Sequence, residues 1–310
     1  MTAASAPGKI ILFGEHAVVY GRPALAVPIG QVHADVEITG SGRPGIWLNA
    51  PDIGLDAELN ALASDHALAA VIHNLFFSLG ISPFPALEIK ITSTIPVASG
   101  LGSGAAVSVA LTRALAAHLG KQMSNEQVNV LAYEIEKLHH GTPSGIDNTV
   151  ITYNRPVYFT RAAPIETFVP GAPFTLAIGD TGRPAPTKQS VAAVRRLWES
   201  DKPAWERVFD RIGEIVRAAR EDIERGKRKE LGELMNENHA LLRELTVSSP
   251  ELDNLVHAAR QAGALGAKLS GGGRGGNMLA LVEESTVRDV AAALSSAGAK
   301  RVIINTVGAD

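Results

Sequence analysis

The chain has 310 residues, 45% of them hydrophobic and 20% charged, with a net charge of −3 and no cysteine. That length supports one large or two ordinary domains with real cores, and the near-balanced charge gives no footprint of nucleic-acid binding. Without cysteine there are no disulfides, thiolate metal sites or thiol nucleophiles; the apolar run at 10–13 is too short for a signal peptide and nothing reaches membrane-span length, so a cytoplasmic soluble protein is expected.

Residues 10–13, 24–28 and 32–38 read as strands, the last alternating Val32, Ala34, Val36 and Ile38. Residues 41–51, rich in Gly and Pro, read as turn and loop. A helix is expected at 65–79 and a strand at 87–91, where Leu87, Ile89 and Ile91 alternate with charge. A long apolar helix at 105–119 ends at Gly120. Ser124 with Gln127 reads as a capping box opening a helix to about His140. After a breaker cluster at 141–145, a strand is expected at 174–179. About three charged helices follow over 187–245, broken near Lys202-Pro203 and Gly226. The last third reads as helix 252–262, strands 267–269 and 278–282, helix 287–297 and strand 301–307. Pro164, Pro170 and Pro173 place a boundary near 160–170, giving domains 1–165 and 166–310 of an α+β protein.

The segment Pro96-Val97-Ala98-Ser99-Gly100-Leu101-Gly102-Ser103-Gly104-Ala105-Ala106 lies between an expected strand and an expected helix. Its glycines permit positive φ and close approach to a ligand. The following helix aims free N–H groups and its positive dipole end into the loop. Ser103 adds a hydroxyl suited to Mg²⁺. With no lysine in the loop, it is not a Walker-type phosphate loop. Lys9 enters an otherwise apolar strand, and Glu15-His16 follow that strand. Asp147 is expected in a Pro/Gly-constrained loop, well placed for a rigid base. Helical periodicity leaves Glu134 and Glu136 open, since both lie at the edge of the apolar face set by Val128, Leu131, Ile135 and Leu138.

A literal Gly-x-Gly-x-x-Gly occurs at 271, 273 and 276, but a strand follows it, and a dinucleotide fingerprint must open a helix. The loop 268–277 can instead supply backbone room or anion contacts. His139 and His140 are adjacent and diverge on a helix, so a shared metal ion is disfavoured. The serine-hydrolase elbow and the protein-kinase signatures are missing.

Pro7-Gly8-Lys9, the 96–106 loop and Lys268 to Gly276, in this order and spacing, resemble the three motifs of the GHMP small-molecule kinases over nearly the whole chain. Within that family, residues 14–21, residues 140–148 and the stretch from Gly179 to Lys188 look like the mevalonate kinase branch. The resemblance implies a two-domain fold: an N-terminal α/β domain of the ribosomal-S5-like type and a ferredoxin-like C-terminal domain. It implies ATP and Mg²⁺ as cofactors and phosphorylation of the primary hydroxyl of mevalonate to 5-phosphomevalonate.

Carried residue by residue, it assigns Pro96, Ser99, Gly100, Leu101, Gly102, Ser103, Gly104, Ala105 and Ala106 to the ATP phosphates. Ser103 and Glu136 become Mg²⁺ ligands, Asp147 the base, and Lys9 the cation beside it. Glu15, His16 and Thr187 match positions near the acceptor, and Gly272 is placed with them; Arg274, which the family pattern lacks, is read either as a substrate residue reaching the γ-phosphate or the mevalonate carboxylate or as a solvated loop arginine. The resemblance also suggests a homodimer, with no nucleic-acid or membrane partner. Ser103-Gly104 stands where the family has Ser-Ser, Arg274 adds a cation to the last glycine loop, and Asn277 replaces a cysteine. The insertions of larger animal homologues are missing, which puts feedback by downstream isoprenoids in doubt. The alternatives are a GHMP kinase acting on phosphomevalonate or a sugar, or a non-catalytic nucleotide-binding regulator; the intact Lys9, Glu136 and Asp147 argue against the regulator.

Overall fold

Two long strands run through the framework: β1 (Thr2–Phe13) and β2 (Ala24–Gly40), which pair with each other. In the computed structural model, which describes residues 1–63, 65–96, 99–140, 144–161, 163–164 and 166–308 (backbone only at 139–140), the chain divides into two units. The first holds residues 1–8, 32–97 and 101–154; the second holds 9–31, 98–100 and 155–310. Both long strands therefore pass from one unit to the other along their length.

In the first unit the later half of β2 is joined by β3 (Ile46–Ala50), β4 (Leu55–Glu58) and, after helix α1 (Ala67–Leu79), by β5 (Leu87–Ser93). β5 runs antiparallel to β2, with Ala34 opposite Ser93, and parallel to β3, with Ile46 opposite Leu87. Helices α2 (Ser103–His118), α3 (Asn125–His140) and α4 (Ile146–Tyr153) pack on one another. The small apolar face of α2, from Ala105 and Ala106 to Val109 and Ala110, lies inside that packing. The expected capping box opens α3: Gln127 N donates to Ser124 Oγ at 3.2 Å, and Ser124 N donates to Gln127 Oε1 at 2.9 Å.

In the second unit β6 (Val157–Phe159) pairs with the start of β2, Ala24 opposite Phe159, and with β7 (Glu166–Thr167). Then come β8 (Phe174–Asp180), α5 (Thr187–Ser200), α6 (Lys202–Glu224), α7 (Arg228–Glu244), α8 (Pro250–Gln261), β9 (Gly266–Ser270), β10 (Asn277–Val282), α9 (Val287–Ser296) and β11 (Arg301–Val307). The four later strands form an antiparallel sheet in the order β11-β8-β10-β9. Asp201 caps α6 by accepting from Ala204 N, with Pro203 in its first turn, which explains the break expected at Lys202-Pro203. Among the described residues no helix is long and apolar enough to cross a membrane.

Three expectations are corrected. Residues 41–51 are not all loop: Ile46, Leu48 and Ala50 are buried and form β3. Their alternation is short and hidden between Gly/Pro-rich flanks, and pairing on both sides makes the strand. β2 is one strand, not two. Pro28 is tolerated within it because the Asn305 side chain donates to Pro28 O (3.3 Å) and accepts from Gly30 N (3.1 Å). Residues 146–153 form α4 straight after the breaker cluster; Gly145, at φ 87°, starts it and Thr149 Oγ1 donates back to Gly145 O.

Helix α7 meets β9 at two glycines. A Cβ on Gly266 would stand 2.0 Å from Gly232 O, and one on Gly232 would stand 2.6 Å from Leu265 O. Gly266→Ala should therefore cost at least ~1–3 kcal/mol by overpacking, read as a lowered urea midpoint at unchanged slope; an unshifted midpoint would refute the contact. On the same helix, His239 Nδ1 accepts from Leu269 N (3.3 Å) and Nε2 donates to Asp253 Oδ1 (3.2 Å). Burial pulls this imidazole down to about 4, against the raising charge of Asp253. The unfolded chain, with its ordinary histidine near 6.5, then binds more protons over this interval. The stabilisation from neutral His239 is thus complete above about pH 6.5 and is lost as pH falls toward 4, on the order of 3 kcal/mol in all. Unfolding free energies measured from pH 7.5 to 4.5 should fall less steeply in His239→Gln than in the parent chain.

Candidate active site

Half of the expected constellation gathers in the second unit. β1 ends at Phe13, and Gly14 turns the chain at φ 93°, where a Cβ would strike Pro23 O at 2.5 Å. His16 follows at φ 62° and leads into a short 3₁₀ turn, Ala17–Tyr20. This local twist sends both Glu15 and His16 inward, 2% and 6% exposed. Glu15 Oε1 accepts from Lys268 Nζ, and Lys268 also donates to Leu269 O at 2.8 Å. Neither side chain reaches solvent. Burial pushes the Glu15 carboxyl up and the Lys268 ammonium down, and each is opposed by the charge of the other.

His16 Nε2 donates to Gly272 O at 3.2 Å, which leaves Nδ1 as the acceptor. Burial lowers this imidazole to about 4, with the charges of Arg274 and Lys268 acting in the same direction; near neutral pH it is uncharged. Thr187, at the start of α5, abuts the same loop: a Cβ on Gly272 would lie 2.7 Å from Thr187 Oγ1. Arg274, at φ 59°, is held by Nε donating to Thr246 O at 3.1 Å and by its own N donating to Val247 O at 2.8 Å. Glu15, His16, Thr187, Gly272 and Arg274 thus share one neighbourhood, and the buried Lys9 belongs to the same unit.

Most of the other half lies in the first unit, apart from Ser99 and Gly100, which the second unit holds. Gly100 and Gly102 adopt φ 79° and 78°, and α2 opens at Ser103 with no side-chain cap on its first amides. These amides are the kind of donors that an anion satisfies. Glu136 on α3 is buried, and its Oε1 lies 3.7 Å from where a Cβ on Gly104 would be. The carboxylate therefore faces the first turn of α2. Glu134, the other acid left open by periodicity, is exposed and accepts from Lys137 Nζ at 2.6 Å. Asp147 occupies the first turn of α4, half-buried. Its helix is tied to α3 where Asn148 Nδ2 donates to Asn129 Oδ1 at 2.7 Å. Residues 97–98 of the glycine loop and 141–143 of the segment before Asp147 lie outside the described residues.

Sequence reasoning gave no role to Lys268, Thr246 or Asn277. Lys268 did carry a signal: a lysine flanked by Ala267 and Leu269 in a run where every position is buried needs a buried partner. Its partner is 253 residues away, which no local pattern encodes.

The domain family described as the GHMP kinases N terminal domain matches residues 66–155, and the GHMP kinases C terminal family matches residues 219–300. A mevalonate kinase of Pyrococcus abyssi (strain GE5 / Orsay) is 38% identical, over 98% of this chain and 95% of the relative. Among solved structures, the L. major mevalonate kinase in complex with R-mevalonate superposes with a TM-score of 0.86 at 31% identity, covering 99% of this chain and 96% of the other. The Methanococcus jannaschii mevalonate kinase gives 0.87 at 27% identity, covering 99% and 98%. With both domain families in order and likeness extending along nearly its full length, the chain belongs to the GHMP kinase family, in its mevalonate kinase branch.

Proposed function

We infer that this chain transfers the γ-phosphoryl group of ATP to the primary hydroxyl of mevalonate, giving 5-phosphomevalonate and ADP. The observation that carries the reading is the Glu15-His16 turn, locked by Lys268 and Gly272 beside Thr187 and Arg274. It is joined by full-length kinship to enzymes named for this substrate, one of them solved with R-mevalonate.

Phosphoryl transfer asks for positioning and charge neutralisation more than for covalent help. The amides of residues 99–106 and the α2 N-terminus cradle the phosphates, with Pro96 at the loop's start. Ser103 and Glu136 hold Mg²⁺, which when bound neutralises phosphate charge. The donor set fits that ion: Mg²⁺ usually takes one or two protein oxygens plus phosphates and water. Among the described residues no cluster of three or more His, Asp or Glu side chains offers an all-protein cage. Asp147 is the base for the proton of the attacking hydroxyl, and Lys9 is a cation that would offset developing negative charge. His16 presents a neutral imidazole, and Arg274 a cation, to the acceptor. On this reading residues 1–165 carry the ATP, Mg²⁺ and proton-transfer groups, and residues 166–310 add Thr187, Gly272 and Arg274.

A coupled ADP-release assay over mevalonate, phosphomevalonate and several sugars should give turnover with mevalonate; ATP binding without turnover on any of them would contradict the reading. Asp147→Asn should lower kcat by about 10²–10⁴, and near-normal turnover would remove Asp147 from the role. Glu136→Gln should shift the Mg²⁺ titration to higher concentration, and an unchanged titration would reject it as a ligand.

A further inference from the structure

Asn277 is the first residue of β10 and is 3% exposed. It is paired on both sides, opposite Asp180 on β8 and opposite Ser270 on β9, so its backbone is fixed by the sheet. The preceding residue is pinned as well. Gly276 O accepts from both Thr181 N and Thr181 Oγ1 at 2.9 Å, and Gly276 N donates to Arg183 O at 2.8 Å. From this platform Asn277 Nδ2 donates to Ser99 O at 2.6 Å. Its Oδ1 is buried with no hydrogen-bond partner among the described residues. The amide is thus oriented for what it donates, with its acceptor end left unsatisfied. Close approach of the two backbones permits this: a Cβ on Gly276 would lie 3.8 Å from Ser99 O.

Ser99 stands at the head of the glycine loop, four residues before α2 begins. Gly100 and Gly102 both adopt positive φ there, where glycine restricts the backbone least. Such a loop needs an external tether to present its amides in one arrangement, because freezing it on binding costs conformational entropy. We propose that Asn277 is a positioning residue for the nucleotide, a strut that holds Ser99 and so preorganises the phosphate loop from the β8-β10-β9 sheet. This rests on the reading of residues 99–106 as the phosphate loop and adds to it the residue that sets the loop's shape.

The chemistry selects the test. Asn277→Asp keeps the shape but replaces a donor by a carboxylate facing a carbonyl; Asn277→Ala removes the strut. Both should raise the KM for ATP about tenfold, the upper range for one lost hydrogen bond, with the KM for mevalonate within twofold of the parent. Thr181→Val loosens the platform and should raise the ATP KM less, in a non-additive way with Asn277→Ala. An unchanged ATP KM in folded Asn277→Asp, or equal rises in both KM values, overturns the proposal. Failure of both Asn277 variants to fold overturns it too, since Asn277 would then serve core stability. Ser103→Ala separates the strut from the loop reading. A raised ATP KM in Ser103→Ala but not in Asn277→Asp leaves the phosphate loop and removes the strut; insensitivity of both removes the two together.

Discussion

An ammonium and a carboxylate buried together hold the turn after β1 against β9. Lys268 lies in the interior of β9 with no exposure, and Glu15 is the residue that meets it. Taking either charge out of water alone costs several kcal/mol, and removing one partner of such a pair typically costs about 3–5 kcal/mol. Glu15 reaches Lys268 only because Gly14 turns the chain at a φ closed to other residues in this space. The same turn places His16 against Gly272 O. The backbone twist, the ion pair and the histidine contact therefore meet in one turn.

Around that turn the chain uses glycine where backbone must come close to backbone or to a ligand. Gly272 leaves room for Thr187, and Gly100 and Gly102 shape the loop before α2. In the first unit, helix packing performs the equivalent service. Glu136 is carried by α3 to the first turn of α2, and Asp147 is carried by α4, which Asn148 ties to α3. Carboxylates borne by packed helices are held more firmly than carboxylates on loops, which suits metal binding and proton transfer.

Much of the fold was legible. The clean alternation of Leu87, Ile89 and Ile91 gave β5, and the Ser124–Gln127 signature gave the start of α3 with its reciprocal hydrogen bonds in place. Local signals failed where tertiary partners decide the outcome. The strand at 46–50 exists because β4 and β5 flank it, and β2 continues past Pro28 because the Asn305 side chain satisfies Pro28 O and Gly30 N. Glu15, His16, Thr187 and Gly272 could be singled out through the family resemblance, which rests on motif order and spacing, and the fold brings them into one neighbourhood. Lys268 could not be given a role, since its partner is fixed by topology. The choice between Glu134 and Glu136 was beyond periodicity for the same reason: one faces α2 and the other pairs with Lys137 in solvent.

The central claim is that the Glu15–Lys268 pair builds the surface that receives mevalonate. The most direct measurement is calorimetric titration of mevalonate into folded Lys268→Met protein, beside the parent chain. The account predicts an affinity weakened at least about tenfold, the effect of a displaced set of polar contacts worth roughly 1.4 kcal/mol, with ADP affinity retained. Mevalonate binding equal to that of the parent chain would contradict it.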